Sequence, residues 1–518
     1  MDLTGEETAM SVAKDERGRS WGRRAVVAAA VVLSSVVVVP RAAATSSSLS
    51  EFRPCEPNPA AWCATLSVPE RWDAAATTGM VHLNVVKRAA TGPGGATKGV
   101  LLADAGGPRG GSAGALRGSW YEQFTKRVRD AFDIVAIDER ESGIVCQGPQ
   151  LSAALPLAPE VGTFDALVAD NVRYAASCRP AALKTIDSLD RARDLDALRR
   201  GLGVDAVGFF GVSYGTVTGQ ALAELFPGTI RAMVLDSPQY PRLSTQDYLV
   251  TAAAGAEDVA RGFAGWCAAH QDDQPEQGSC RSLARVIGTG RVTAERVVVH
   301  LRRLLTLAEA GVLVDDRGGT VTADALSAAF FGLLHPQDLP FHLGERADAL
   351  AGLRARQRED VANRLVAEPE SDTQTLLRCN DFYDRSVTTY GQWLSLWHRG
   401  RAVAPTVRTS SWHWTWMRAC VGTDLGRWRP LPFPVAVPLL VTSMRYDSVT
   451  PWTWARRLAS DASAPLITYD GFGHGAYDAT IWYEPGRHCV AHPVEGFLLD
   501  GVEPADTRCQ GATAVPGS

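Results

Sequence analysis

Between residues 52 and about 240, short apolar runs alternate with longer amphipathic stretches. Val100 to Ala103 is an unbroken apolar run leading into a glycine-rich turn, Gly106-Gly107-Pro108-Arg109-Gly110-Gly111. Phe132 to Ile137 reads as a second strand, closing on Asp138. Leu195, Leu198 and Leu202 recur at helical spacing within Arg191 to Leu202. Val207 to Phe210 reads as a short buried strand, Tyr214 to about Phe226 as a helix, and Ala232 to Leu235 as another strand. Bounded apolar runs of this length are buried strands, and the stretches between them are helices. Their alternation predicts an α/β class with a mostly parallel sheet and helices on both faces.

From about 242 to 430 the pattern changes to long Ala/Leu/Arg-rich helical stretches, such as Ala294 to Gly311 and Pro340 to Val366. Tryptophans cluster there at 393, 397, 412, 414 and 416, a set that suits a helical core better than a substrate pocket. Strand patterns then return at Val437 to Thr442 and Pro465 to Tyr469, with helices from Trp452 and at Val490 to Leu499. The expected organisation is a first core part at 45–241, a mainly helical cap at 242–430, a second core part at 431–510 and a tail at 511–518. Residues 45–50 read as a Ser-rich linker.

Composition changes this picture at the N-terminus. Arg19, Arg23 and Arg24 precede an apolar stretch, Ala25 to Val39, that is short for a membrane span. Arg41-Ala42-Ala43-Ala44 then offers a cleavage site, so 1–44 reads as a signal peptide with Thr45 first in the mature chain. An uncleaved anchor is the competing reading. All ten cysteines lie beyond this segment, and an even number in an exported chain implies disulfides. Neighbour spacing suggests Cys55–Cys63, Cys146–Cys178, Cys267–Cys280, Cys379–Cys420 and Cys489–Cys509, although other connectivities fit the same count. The chain contains no C-x-x-C or H-E-x-x-H, and His488 and His492 flank a cysteine, so no metal site or cofactor is expected. A net charge of -5 gives no reason to expect nucleic acid. The expected location is secreted, with no stable membrane insertion after cleavage. Only five of the 52 basic residues are Lys, which leaves few candidates for a Ser–Lys dyad.

Gly211-Val212-Ser213-Tyr214-Gly215 fits G-x-S-x-G between a buried strand and a helix. A nucleophile elbow needs that context, because the glycines relieve crowding in a strained strand-to-helix turn. Ser213 is therefore the candidate nucleophile, and a serine hydroxyl needs a base to take its proton. His474, in the glycine-flanked loop Asp470-Gly471-Phe472-Gly473-His474-Gly475, is the candidate base. Asp447, in Tyr446-Asp447-Ser448-Val449-Thr450-Pro451, is the preferred acid to orient it, with Asp470 and Asp478 as rivals. Two backbone N–H groups should hold an oxyanion, those of Tyr214 and Gly107.

These motifs together resemble the secreted tripeptidyl aminopeptidases and related proline-iminopeptidase-like serine peptidases of actinobacteria. The resemblance rests on Gly106-Gly107-Pro108, Ala192 to Arg199, Gly211 to Thr216, Ala223 to Pro227, Asp447 to Pro451 and Gly471 to Gly475, and spans about Cys55 to Cys509. It implies an α/β-hydrolase fold with an inserted helical cap, and an aminopeptidase that releases short peptides from free N-termini through an acyl-enzyme. It implies Ser213, Asp447 and His474 as the triad. The chain departs from the family pattern where Asp104-Ala105 replace N-P, where Arg109 interrupts the glycines, and at Glu139 and Glu141 in Asp138 to Gly143. It departs again at Tyr240 in Asp236-Ser237-Pro238-Gln239-Tyr240-Pro241, where the family has a second acid. All these changes are expected near the mouth of the site. An aminopeptidase must hold a protonated amine, and Asp381 in Cys379-Asn380-Asp381 is the candidate carboxylate. The expected partner is a peptide or a small amide or ester. An esterase or natural-product tailoring hydrolase on the same scaffold is the first rival, and a non-catalytic binding protein the second.

Overall fold

Strands β5 (Val100–Asp104), β6 (Asp133–Ile137), β7 (Val207–Val212) and β8 (Ile230–Asp236) are apolar on both faces, as strands covered by helices on both sides must be. In the computed structural model they lie in one sheet with β1 (Ser48–Leu49), β2 (Arg53–Pro54), β3 (Trp62–Pro69), β4 (Met80–Arg88), β11 (Leu439–Tyr446), β12 (Leu466–Phe472) and β13 (Thr507–Gln510). The order is β1-β3-β4-β6-β5-β7-β8-β11-β12-β13, with β2 paired to β3. Every pairing from β6 to β13 is parallel, and β1 to β4 add antiparallel strands at one edge. The structure describes residues 47–72, 79–108, 111–140, 144–147, 160–179, 186–274, 279–288, 290–323, 326, 340–355, 371–409, 412–426, 433, 437–477 and 489–511. The expected signal peptide, Arg109, Glu141, Asp478 and His488 lie outside the described residues.

Two expectations are corrected. The stretch taken for a linker contributes β1, which pairs with β3 through Ser48↔Ser67 and Leu49↔Leu66. An edge strand needs only a partner's free backbone groups, so its Ser-rich composition did not mark it. The helix expected over Pro340 to Val366 ends at Ala351. After Gly352, the chain turns into β10 (Arg354–Ala355), which pairs with β9 (Leu313–Val314) in a small second sheet. Otherwise the described elements between β8 and β11 are helices, among them Thr245–Ala269, Ala294–Glu309, Asp372–Phe382, Tyr390–Val403 and Trp412–Arg418. Five disulfides join Cys55 to Cys63, Cys146 to Cys178, Cys267 to Cys280, Cys379 to Cys420, and Cys489 to Cys509.

Two buried ion-pair groups tie the helix Ser188–Gly201 to the end of β5 and the loop after β6. Arg140 donates to Asp194 through Nε at 2.7 Å and Nη2 at 2.6 Å, and Trp72 Nε1 adds a bond to Asp194 at 2.8 Å. Arg191 pairs with both Asp104 and Glu139 at 2.5 Å. Asp104 and Glu139 are two of the departures from the family pattern, and one arginine answers both. Removing one member of a buried pair strands the other charge, which costs about 3–5 kcal/mol. Asp194→Ala should therefore lose about that much stability in a denaturant titration. A loss below about 1 kcal/mol would show that Arg140 finds other partners.

Candidate active site

The C-terminal ends of β5, β7, β8, β11 and β12 are neighbours at one edge of the sheet. Open parallel sheets bind ligands at this edge, outside the carboxyl ends of their strands. Ser213 directly follows β7 and precedes the helix Gly215–Leu225. Its φ is 56°, a left-handed conformation uncommon outside glycine and the mark of a strained turn. The Ser213 N–H donates to the Asp236 carbonyl at 2.9 Å, which fixes the elbow to the end of β8. Gly215 has no room for a side chain, because a Cβ there would lie 2.5 Å from the Asp104 carbonyl oxygen.

The turn after β5 packs on this elbow. A Cβ on Gly106 would sit 2.4 Å from the Val212 carbonyl oxygen and 3.0 Å from the Tyr214 nitrogen. Gly106 also takes a φ of 82°. Close backbone approach and left-handed geometry both require glycine here. Asp104 Oδ1 shapes the turn by accepting the Gly106 N–H at 3.0 Å and the Ser112 hydroxyl at 3.2 Å. Tyr214 heads the Gly215–Leu225 helix, whose N-terminus favours negative charge. Arg378 reaches the Gly107 carbonyl at 3.3 Å, and its guanidinium stacks 3.5 Å from the centre of the Trp416 ring.

Asp447 begins the loop after β11, and His474 stands in the loop after β12. His474 Nδ1 lies 2.8 Å from Asp447 Oδ2. The other Asp447 oxygen accepts the N–H groups of Val449 at 2.9 Å and Thr450 at 2.8 Å. The Thr450 hydroxyl donates to Asp447 Oδ2 at 2.8 Å and sits 3.2 Å from His474 Nδ1. Burial alone pulls the His474 imidazole toward its neutral form. The Asp447 charge and hydrogen bond, with the Asp236 charge, outweigh that and raise its pKa above the ordinary value. With Nδ1 bonded to a carboxylate, Nε2 is the nitrogen left to accept a proton.

Asp381 is packed beside the elbow and hydrogen-bonded within the protein. It is 3% exposed. Its Oδ1 accepts the Ser188 N–H at 2.9 Å, and its Oδ2 accepts the Ser188 hydroxyl at 2.7 Å together with the Tyr214 hydroxyl. Burial pushes its carboxyl up to about 6, against those donors and Arg191. Asp381 thus fastens the helix Asp372–Phe382 to the start of the helix Ser188–Gly201 and to Tyr214 of the elbow. Tyr240 is also buried, and its hydroxyl pairs with Asp461, so that departure is a matter of packing. Among the tryptophans, Trp393 and Trp414 are buried against each other with ring centres 5.5 Å apart, as core residues are. Asp470, the described rival to Asp447, pairs instead with Arg508 at 2.6 Å.

Three residues that motif reading passed over join the site. Thr450 braces the acid. Asp236 and Ser237 bind the backbone of the histidine loop. Asp236 and Ser237 stand where β8 ends, in the stretch Asp236 to Pro241 whose family resemblance drew attention to Tyr240 instead.

Two family models match the chain. One, described as alpha/beta hydrolase fold, covers residues 146–275 and so includes the elbow. The other, described as TAP-like protein, covers 407–509 and so includes Asp447 and His474. The chain is 27% identical over 497 residues to "Serine protease Hip1" of Mycobacterium tuberculosis, covering 88% of this chain and 89% of that protein. It is 25% identical over 467 residues to "Tripeptidyl aminopeptidase" of Streptomyces lividans, covering 83% and 80%. It is also 27% identical over 502 residues to "Carboxylesterase B" of Mycobacterium tuberculosis, covering 87% and 86%. The matched elbow, the parallel sheet with its helices and these relatives agree, and the chain is a serine hydrolase with the α/β-hydrolase fold, similar to the TAP-like proteins.

Proposed function

We propose that this is a secreted aminopeptidase of the tripeptidyl type, releasing short peptides from free N-termini through an acyl-enzyme on Ser213. The observation that carries the triad is the 2.8 Å contact between His474 and Asp447, on loops that leave neighbouring strands at the edge holding the Ser213 elbow. Ser213 Oγ attacks the carbonyl carbon, and His474 Nε2 takes its proton. The N–H groups of Tyr214 and Gly107 hold the oxyanion as the tetrahedral intermediate forms. His474 then gives its proton to the departing amine, and water releases the acyl group by the same route. Secretion is supported by the arginine-led apolar stretch at 19–39 and by ten cysteines paired in five disulfides.

The second reading, an esterase, is favoured by one observation. Asp381 has its oxygens taken by Ser188 and Tyr214, so the helix bearing it offers no open carboxylate at that position for an amine. A panel of tripeptide amides with free and acetylated N-termini, beside simple acyl esters, decides between the two. The aminopeptidase reading expects release from free N-termini and at least a tenfold fall in kcat/KM on acetylation, the scale of one lost charged contact. Turnover of esters alone would overturn it in favour of the esterase.

A further inference from the structure

We infer that Asp236 and Ser237 act as a clamp that positions the general base, holding the loop of His474 against the nucleophile elbow. This inference rests on the reading of Ser213 and His474 given above. Asp236 is the last residue of β8, the strand between the elbow strand β7 and the acid strand β11. Its main chain and its side chain point to two different parts of the site. The carbonyl accepts the Ser213 N–H at 2.9 Å. The carboxylate, fully buried, accepts the Ala476 N–H on Oδ1 at 2.8 Å and the Tyr477 N–H on Oδ2 at 3.0 Å. Ser237 completes the set, accepting the Gly475 N–H on Oγ at 2.9 Å. The three consecutive N–H groups that follow His474 are therefore all held by two adjacent side chains more than 230 residues earlier in the chain.

The arrangement has the chemistry of a helix cap supplied from a distance, in which carboxylate and hydroxyl oxygens satisfy first-turn N–H groups. Ser237 reaches its position through a left-handed φ of 48°, and its own N–H is fixed to the Thr442 carbonyl at 2.8 Å. Thr442 Oγ1 donates to Asp236 Oδ1 at 2.8 Å. Three donors bonded to this carboxyl favour its ionised form, while burial, the largest influence, raises its pKa above the ordinary carboxylate value. Gly473 and Gly475, at φ 141° and 91°, take backbone conformations that glycine favours, so the loop's own side chains add no constraint at either flank of His474. The charge has a second effect, because Asp236 acts on His474 in the same sense as Asp447 and favours the protonated imidazole. Among the described residues, the titratable and charged groups facing His474 are Asp447 after β11, Asp236 at the end of β8, and His413 from the helix Trp412–Arg418. His413 is buried and held neutral, its pKa pulled down to about 3 by burial first and Arg378 second.

The test compares Asp236→Asn and Ser237→Ala with the wild-type full chain, with disulfides intact. Three quantities are read: the pH dependence of Ser213 labelling by a fluorophosphonate, the His474 imidazole titration by NMR, and Tm. Asn offers one acceptor oxygen where the loop needs two, and it removes the charge. Asp236→Asn is expected to slow labelling about a hundredfold, the scale of a misplaced catalytic group. It should also move the acidic limb and the His474 titration down by about half a pH unit, since loss of a nearby carboxylate favours neutral imidazole. Ser237→Ala removes a bond but no charge, and should slow labelling about tenfold with the limb unmoved. A folded Asp236→Asn protein with wild-type labelling, or with slower labelling and an unmoved His474 titration, overturns the clamp. If Asp236→Asn does not fold, Ser237→Ala decides alone: wild-type labelling overturns the clamp, and a tenfold fall at unchanged Tm upholds it. A wild-type protein that resists labelling, combined with a shifted His474 titration in Asp236→Asn, would sink the nucleophile reading and leave the clamp standing.

Discussion

Ser213→Ala is expected to lower kcat/KM by about 10⁵-fold or more while leaving Tm close to wild type. The size of the loss follows from what the hydroxyl does in the proposed cycle. Without Oγ no acyl-enzyme forms, and only oxyanion stabilisation and binding remain, worth about 10³–10⁴ over water in triad hydrolases. The small effect on folding follows from the elbow. Ser213 adopts φ 56°, held by its N–H bond to Asp236 and by the close approach of Gly106, neither of which uses its hydroxyl. Alanine carries the same backbone strain as serine in that turn. Kinetics on the best substrate of the peptide and ester panel, with a thermal melt alongside, measure both halves. A variant that kept even a tenth of the wild-type rate would remove Ser213 from the chemistry.

The elbow was legible in the sequence because its sterics leave so few solutions. A serine lifted from a strand into a helix at positive φ needs small neighbours, and Gly211, Gly215 and Gly106 meet that need through contacts nearby in the fold. His474 was legible for a related reason, since glycines flank it at a strand's end. The parallel sheet was legible from apolar runs such as Val207 to Phe210, which burial on both faces demands. What escaped depends on partners distant in the chain. Ser48–Leu49 becomes a strand only because β3 offers it an edge. Arg191 reads as one of many arginines until Asp104 and Glu139 are folded against it. Asp381 reads as a free carboxylate until Ser188 and Tyr214 close over it. Asp236 ends a strand like any other polar residue, and its partners Ala476 and Tyr477 are 240 and 241 residues away. Periodicity reports which face of an element is buried, but it carries no information about which distant donor meets a buried acceptor.

Asp447→Asn carries the second large expectation, a fall of about 10⁴-fold in kcat/KM with little change in Tm. The reason lies in the four donors around this carboxylate. Val449 N–H and Thr450 N–H bond to Oδ1, while Thr450 Oγ1 and His474 Nδ1 meet Oδ2. An amide must give one side its NH₂. Turned toward Val449 and Thr450, the NH₂ would face two fixed backbone donors and leave them unsatisfied in a buried place. The amide oxygen of the variant therefore stays with the backbone pair, and its NH₂ faces His474. The imidazole must then accept at Nδ1, which moves its proton to Nε2, the atom that should take the serine proton. The base is thereby held in the wrong tautomer with its position almost unchanged. Kinetics of Asp447→Asn across pH, beside Asp470→Asn as a control expected to stay within about threefold of wild type, test this directly. Should Asp447→Asn lose less than tenfold, the acid would have to be sought elsewhere. Asp236 would then be the carboxylate to examine, since its charge already acts on His474, although three donors hold it to the loop backbone and to Thr442. A division of labour with Asp447 on the ring and Asp236 on the loop that carries it requires the first substitution to change the tautomer and the second to change the position.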